Sequence, residues 1–208
     1  MDRIAIFGAG GHAASVVDVV MSGTSYAVAC LVDKKPVPVA SNLNFPIISE
    51  KDPMLDSIKK AFVAIGDNGL RKKLAEDLQR LGYILVNVVS PYAYVSCRVL
   101  FGSGIVVMPH AVVSVDAKVG DGTIINTRAS VDHDCKIGSY CHVAPGATVC
   151  GFVTIGDGTF VGAGATIIDR INIGSNCMIG AGAVVVNDIP NNQTVMGVPA
   201  KPYQQRKE

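Results

Sequence analysis

Apolar positions in the second half of the chain recur every six residues. From Val95 to Val185, every sixth residue is apolar, and fifteen of these sixteen are valine or isoleucine. A period of six fits neither an α-helix, whose period is 3.6, nor a single strand with simple alternation. It is typical of short strands joined by tight corners, and it predicts a parallel β-helix over roughly residues 90–186.

Three such strands make one coil, so equivalent positions should superpose every 18 residues. Three columns with this spacing are rich in glycine. They are Gly102, Gly120, Gly138, Gly156 and Gly174; Gly104, Gly122, Tyr140, Gly158 and Asn176; and His110, Arg128, Gly146, Gly164 and Gly182. Glycine and asparagine adopt positive φ at little cost, so the second and third columns are predicted to be corners.

The first half of the chain alternates strand-like and helix-like segments. Apolar runs at residues 4–7, 26–33 and 61–68 are each followed by a turn, and residues 69–82 have helical character. This alternation predicts a small parallel α/β sheet of Rossmann-like type. We therefore expect a domain boundary near Pro91, with the small α/β domain over residues 1–90 and the β-helix with a C-terminal tail over residues 91–208.

The composition of the chain disfavours nucleic-acid-binding, membrane-bound and disulfide-rich proteins. The chain has 18 basic and 17 acidic residues among 208, so no strong positive field favours nucleic acid or an anionic membrane. Neither a signal peptide nor an apolar run of about 20 residues is recognisable, so we expect a cytoplasmic protein without a membrane partner. The six cysteines lack CxxC spacing, and no two are 18 residues apart, which disfavours a disulfide framework.

A glycine-rich turn follows the first apolar run. The segment from Gly8 to Ala13 matches the pattern GxGxxA, and Asp33 ends the next strand-like run. Bare backbone amides at a helix N-terminus bind phosphate, and a carboxylate about 20 residues on accepts hydrogen bonds from ribose. The motif alone suggests NAD, but about 90 residues make only half of a dinucleotide fold. A single nucleotide diphosphate fits better, and a ligand-free turn remains the structural alternative.

Five stretches together resemble the sialic-acid O-acetyltransferase and UDP-4-amino-sugar N-acetyltransferase family of hexapeptide-repeat acyltransferases. They are GAGGHA, LVDKK, AIGDNGLRKKL, IINTRASVDHDCKIGSYCHVAPG and VVVNDIPNNQTVMGVPAKPY. The resemblance implies a left-handed β-helix, a homotrimer with ligand clefts between subunits, and acetyl-CoA as co-substrate without a metal.

The resemblance also implies the acceptor site. The residues it assigns to the nucleotide-linked sugar are Gly10, Gly11, His12, Asp33, Lys34, Gly66, Asp67, Asn68 and Asn126. Lys34 departs from the family, in which many members carry a second carboxylate at this position.

The chemistry implied by the resemblance centres on two histidines. His133 is the expected general base and Asp134 the carboxylate that orients it, with Asp132 as the second choice. Gly151, one coil further, should leave space beside the imidazole. His142 is expected to contact acetyl-CoA, with a role at the thioester carbonyl. The two histidines are half a coil apart, so they would cooperate only across a subunit interface.

The donor is expected to lie along glycine and alanine positions of the later coils and at the C-terminal tail. These expected cofactor-binding residues are Gly162, Ala163, Gly180, Ala181 and Lys201. For each of the four small residues, simple corner geometry remains the alternative explanation.

The sequence gives less support to a zinc site or to a covalent acyl-enzyme. A zinc site built from His110, His133 and His142, as in β-helix trimers that resemble gamma carbonic anhydrases, lacks that family's closely spaced histidine pair. Cys135 and Cys141 occupy inward slots that would desolvate a thiolate, which argues against a covalent acyl-enzyme.

The prediction is an acetyl-CoA-dependent N-acetyltransferase acting on a nucleotide-linked amino sugar of the UDP- or dTDP-4-amino type in bacterial surface-glycan synthesis. O-acetylation of a sialic acid or a related sugar is the enzymatic alternative. A non-catalytic trimeric partner that binds sugar nucleotides is the second alternative.

Overall fold

A computed structural model of the chain describes residues 1–34 and 44–203. Its N-terminal part is a five-stranded parallel sheet in the order β3-β2-β1-β4-β5. The strands are β1 (Asp2–Phe7), β2 (Tyr26–Val32), β3 (Ile47–Ile48), β4 (Lys60–Val63) and β5 (Ile84–Leu85). The short β3 and a 3-10 helix at Pro53–Ser57 were not predicted from the sequence.

Two α-helices cover the two faces of this sheet. The alternation of β1 sends Ile4 and Ile6 toward α1 (Gly11–Met21), and Ala5 and Phe7 toward α2 (Asn68–Arg80). A parallel sheet needs this cover because both of its faces are apolar. Neither helix has the length and apolar character needed to cross a lipid bilayer, and the described ranges contain no other α-helix.

The second part is a parallel β-helix with three sheets, which together form a triangular prism. Face one contains β6 (Val88–Val89), β9 (Val106–Val107), β12 (Ile124–Ile125), β15 (His142–Val143), β18 (Phe160–Val161), β21 (Met178–Ile179), β23 (Thr194–Met196) and β24 (Lys201–Pro202). Face two contains β7 (Tyr94–Val95), β10 (Val112–Val113), β13 (Ser130–Val131), β16 (Thr148–Val149), β19 (Thr166–Ile167) and β22 (Val184–Val185). Face three contains β8 (Leu100–Phe101), β11 (Lys118–Val119), β14 (Lys136–Ile137), β17 (Thr154–Ile155) and β20 (Asn172–Ile173).

The inward residues follow the predicted period. Apolar side chains spaced by six form one buried core along the prism axis. Because β6 already pairs with β9, the coil pairing begins at Val88, just before the domain boundary expected from the sequence. The last coil is closed by β24, which pairs antiparallel with β23.

Both corner columns predicted from glycine and asparagine have positive φ, including Tyr140 at 56° and Arg128 at 58°. A third corner column was missed because it contains no glycine. Its members, all with φ near 60°, are Asp116, Asp134, Phe152 and Arg170. The glycine column that begins at Gly102 does not form a corner; it consists of glycine because the coils stack too closely for a side chain. A Cβ on Gly156, for example, would lie 2.5 Å from the backbone nitrogen of Ser175 in the next coil.

The two parts pack directly on each other. Helix α1 lies between the N-terminal sheet and face one, where its valines share a core with Val88, Val106 and Ile124. The first coils of face one are therefore covered by the N-terminal part. The later coils are open, and Met178 is 45% exposed.

Candidate active site

The glycine loop after β1 has the backbone geometry of an anion site. Gly8 has φ of 113°, and a Cβ there would lie 2.8 Å from the carbonyl oxygen of Ala64, so only glycine fits. Gly10 is the N-cap of α1 and offers no capping side chain, and neither Gly10 nor Gly11 has any neighbour within 4 Å of a Cβ position. The N-terminus of α1 is therefore not crowded beside these two glycines, and it carries the positive end of the helix dipole.

Asp33 lies next to this loop at the carboxyl end of β2. Its Oδ2 accepts a hydrogen bond of 2.9 Å from the backbone nitrogen of Ala9. Lys34 follows it and is exposed. A cavity of about 620 Å³ opens along the same edge, between the strand ends and α2. Its polar lining residues are Asp33, Lys34, Glu50, Lys73 and Asp77.

The loop after β4 brings Gly66, Asp67 and Asn68 to the same sheet edge. Asp67 is the N-cap of α2, where its Oδ1 accepts from the backbone nitrogen of Leu70 at 2.8 Å. The amide nitrogen of Asn68 donates to the carbonyl of Gly158 in the prism at 3.0 Å. Asp67 and Asn68 therefore hold the loop in place through contacts within the chain, whereas a Cβ on Gly66 would meet open space.

His142 lies where the N-terminal part ends on face one. Its ring is 9% exposed, and its Nε2 lies 3.0 Å from Nδ2 of Asn126. The Oδ1 atom of Asn126 is occupied by the backbone nitrogen of Thr127 at 2.8 Å, so the amide nitrogen must donate to the ring. His142 is therefore neutral with its proton on Nδ1, which is buried and interacts with the backbone of Gly66 without meeting full hydrogen-bond geometry.

His12, in the first turn of α1, belongs to the same cluster. Burial, with a smaller contribution from the positive charge of Arg71, lowers the pKa of His12 to about 4. Burial likewise lowers the pKa of His142 to about 4, with smaller contributions from Arg71 and His12. Both rings are neutral near pH 7, and Nε2 of His12 is buried without a partner in the described part of the chain.

The structure therefore groups His142 with residues expected at the acceptor site. Asn126 contacts it directly, and His12 and Gly66 lie beside it. The expected donor residues Gly162 and Gly180 continue the Asn126 column two and three coils further along face one. The single N–H of His142 is buried in this cluster, and its role at the thioester carbonyl stays a prediction.

His133 stands on another side of the prism, at the corner after β13. Its Nδ1 lies 3.0 Å from Oδ2 of Asp134, while Asp132 accepts a hydrogen bond from the backbone nitrogen of His133 at 2.8 Å. The ring of Phe152 meets the imidazole edge to face, with 5.2 Å between ring centroids. With Nδ1 paired to a carboxylate, Nε2 is the nitrogen available to a substrate, and the His133 side chain is 43% exposed.

Gly151 does not leave the vacant space that was expected beside this ring. A Cβ on Gly151 would lie 2.7 Å from Cε1 of His133, so the imidazole itself occupies the volume above the glycine. The glycine at position 151 therefore makes room for the imidazole of His133, because any larger residue would push the ring away from the prism.

The expected donor positions differ in their structural requirements. A Cβ on Gly162 would lie 2.5 Å from the nitrogen of Ala181, so coil stacking alone requires this glycine. Ala163, Ala181 and Lys201 are exposed along the open part of face one. Gly162 and Gly180 share the coil register of Asn126, and Ala163 and Ala181 directly follow them.

The inward cysteines are poor nucleophiles, and their burial is the reason. Burial raises the pKa of Cys135 to about 11 and that of Cys141 to about 12, so neither thiol ionises near neutral pH. Within residues 1–34 and 44–203, no three histidine, cysteine or acidic side chains are grouped to hold a metal ion.

Sequence reasoning missed Arg71 on α2, which is 1% exposed. It is the largest side chain among the fully buried residues and bonds to both parts of the chain. Its acceptors are Gly122 O (2.6 Å), Ile65 O (3.0 Å), Gly66 O (3.0 Å), Asn68 Oδ1 (2.7 Å), Tyr140 O (3.2 Å) and Cys141 O (3.1 Å). Within the charged segment GLRKKLAEDLQR, nothing distinguishes this arginine from its solvent-exposed neighbours.

Comparison with family models matches both parts of the chain. Residues 3–78 match the PglD N-terminal domain, and residues 116–151 and 152–187 match the bacterial transferase hexapeptide of six repeats. No match was found among curated protein sequences.

Solved structures match the chain from end to end. A histidine-to-asparagine variant of perosamine N-acetyltransferase from Caulobacter crescentus, in complex with CoA and GDP-perosamine, is 38% identical with a TM-score of 0.93. That match covers 99% of this chain and 98% of the other. The acetyltransferase domain of PglB from Neisseria gonorrhoeae, in complex with acetyl coenzyme A, is 36% identical with a TM-score of 0.88, covering 97% and 98% of the two chains. WeeI from Acinetobacter baumannii is 26% identical with a TM-score of 0.83, covering 98% and 100%.

Proposed function

The chain belongs to the hexapeptide-repeat sugar acetyltransferases with a PglD-type N-terminal domain, and from this premise we propose how its residues carry out acetyl transfer. The family, the α/β N-terminal domain and the left-handed β-helix predicted from the sequence are confirmed. The chain is an acetyl-CoA-dependent N-acetyltransferase whose acceptor is the amino group of a nucleotide-linked amino sugar.

His133 is the general base in this proposal, and the observation that carries it is the contact of its Nδ1 with Asp134. The carboxylate fixes the tautomer, so Nε2 carries the lone pair that accepts a proton from the sugar amine. The amine nitrogen attacks the thioester carbonyl carbon, and collapse of the tetrahedral adduct breaks the bond to sulfur. The imidazolium then returns its proton to the departing thiolate of CoA.

The acceptor is proposed to lie along the carboxyl edge of the N-terminal sheet. The open amides at Gly10 and Gly11 suit its diphosphate, and Asp33 with Lys34 flanks the adjoining cavity. Gly66 and His12 lie between this edge and the pair formed by Asn126 and His142. The proposed sugar position is therefore next to this pair, on face one of the prism.

Acetyl-CoA is proposed to occupy the open coils of face one, along the edge marked by Gly162, Ala163, Gly180 and Ala181. Lys201, exposed on the last strand of the same face, suits a phosphate of the coenzyme. His142 lies on the same face, with its Nε2 facing Asn126 and its N–H buried, and its contact with acetyl-CoA remains part of the proposal.

A homotrimer is proposed because His133 and the acceptor cluster lie on different sides of one prism. The outward positions of face three include Lys118 and Lys136, as expected for a solvent face. Those of face two are uncharged, and Tyr94 and Val112 there are 64% and 36% exposed. Packing face two against a neighbour would bring His133 of one protomer to the acceptor site of the next.

We expect a cytoplasmic location, which is also where both proposed substrates are available. All six cysteines are free thiols, as is usual in a reducing compartment.

Thiol release from acetyl-CoA tests the proposed activity. The acceptor panel should contain GDP-, UDP- and dTDP-linked 4-amino sugars, with their N-acetylated forms as matched controls and free sialic acid as the hydroxyl acceptor. Release that requires a free amine on a nucleotide-linked sugar is the expected result. Release with sialic acid alone would contradict the proposed acceptor class.

A further inference from the structure

A buried arginine that takes no part in the proton transfer joins the two parts of the chain. Arg71 is 1% exposed, yet all six of its hydrogen-bond acceptors are uncharged oxygens. Within the described ranges, no carboxylate forms an ion pair with it at 4.0 Å or less. Such a guanidinium is satisfied only while the loop and the prism both keep their positions.

The acceptors in the prism lie at or directly after the same corner of two successive coils. Gly122 and Tyr140 are equivalent corner residues of adjacent coils, with φ of 61° and 56°. The next residue in that column is Gly158, and its carbonyl accepts from Asn68, which in turn accepts from Arg71. The segment that leads from β4 into α2 is thus held against three consecutive coils.

The same guanidinium reaches both sides of the proposed acceptor site. Its Nη1 donates to the carbonyls of Ile65 and Gly66, at the sheet edge. Its Nη2 donates to the carbonyl of Cys141, the residue directly before His142. Arg71 therefore contributes directly to the spacing between the sheet edge and the pair formed by Asn126 and His142, together with the contact of Asn68 with Gly158.

We propose that Arg71 is a positioning residue for the nucleotide-linked amino sugar, setting the separation between Gly66 and the Asn126–His142 pair so that one bound molecule reaches both. This inference rests on the proposed function. A planar fork with five donors can hold carbonyls of the loop and of two coils together, whereas the three donors of a lysine ammonium radiate from one atom and cannot.

The test compares Arg71→Lys with Arg80→Lys in steady-state thiol release. Arg80 lies on the same helix, but it is exposed, and within residues 1–34 and 44–203 it forms an ion pair with Asp77 alone. In Arg71→Lys, the KM for the nucleotide amino sugar should rise about tenfold or more, while the KM for acetyl-CoA stays within about twofold. Arg80→Lys should leave both values near those of the wild type.

Arg71→Ala provides a second route if the lysine variant folds poorly. Added guanidinium should refill the cavity and lower the acceptor KM toward the wild-type value, whereas added methylammonium should not. An Arg71→Lys variant with an unchanged acceptor KM, or with equal rises in both KM values, would overturn the inference. A folded Arg71→Ala variant that guanidinium fails to rescue would also overturn it.

The role of His133 as the base and the role of Arg71 in acceptor binding can be tested independently. If His133→Ala keeps the wild-type rate, the proposed base is wrong, but the effect of Arg71 on acceptor binding still stands. If His133→Ala is inactive and Arg71→Lys behaves like Arg80→Lys, the base stands and the positioning role is wrong.

Discussion

At the scale of single residues, the buried histidines make stability depend on pH. His142 has a pKa lowered to about 4 in the folded state, while its ordinary value is 6.5. Between pH 6.5 and pH 4, His142 is therefore protonated in the unfolded chain but neutral in the folded chain. The free energy of unfolding consequently falls as the pH drops from 6.5 toward 4. At pH 5 this one ring should cost about 2 kcal/mol relative to pH 7.5.

A His142→Asn variant keeps a polar side chain but does not titrate, so its free energy of unfolding should fall less between pH 7.5 and pH 5. Urea unfolding at the two pH values checks this, with His110→Asn as the control because the His110 ring lies at a corner of the prism next to Tyr92. An equal fall in all three proteins would show that His142 titrates normally.

Some contacts of single residues could be predicted from the sequence, and others could not. The proximity of His133 to Asp134 was predictable because the two are adjacent and the coil corner constrains them. The burial of Arg71 was not predictable, because it depends on carbonyls from residues 122 to 141 that only the folded chain brings to it. The neutral state of His142 likewise arises from its cover by the N-terminal part.

At the scale of elements, coil stacking should be sensitive to single methyl groups. A Cβ on Gly156 would lie 2.5 Å from the nitrogen of Ser175, and Gly156 does not have a positive φ, so Gly156→Ala tests contact alone. We expect a loss of about 1–3 kcal/mol in unfolding free energy with unchanged KM values. Thr154→Ala, two residues earlier on the solvent-facing side, is the control for thermal and urea unfolding, and equal stability of the two variants would contradict the stacking argument.

The elements themselves were largely predictable. The six-residue period of Val and Ile predicted one inward residue in each strand from β7 to β22, because burial in a narrow prism favours apolar side chains. Two corners were recognisable from glycine and asparagine. The third was hidden because Asp134 and Phe152 adopt positive φ there without being glycine.

At the scale of the whole molecule, the proposed active site combines two protomers. His133→Ala and Asn126→Ala trimers should each be nearly inactive, because each lacks one half of every site. Co-refolded mixtures should recover about a quarter of the wild-type rate if the halves pair at random. Thiol release by the mixture checks this, and a mixture no more active than its parents would place both halves in one protomer.

The general base at position 133 is the central claim, and the kcat for thiol release by His133→Ala tests it most directly. Measured with saturating acetyl-CoA and nucleotide amino sugar, kcat should fall by about 10²–10⁴-fold while coenzyme binding persists. His110→Ala, at a corner without a carboxylate partner in the described chain, should keep the wild-type kcat. A His133→Ala enzyme as fast as His110→Ala would contradict the account.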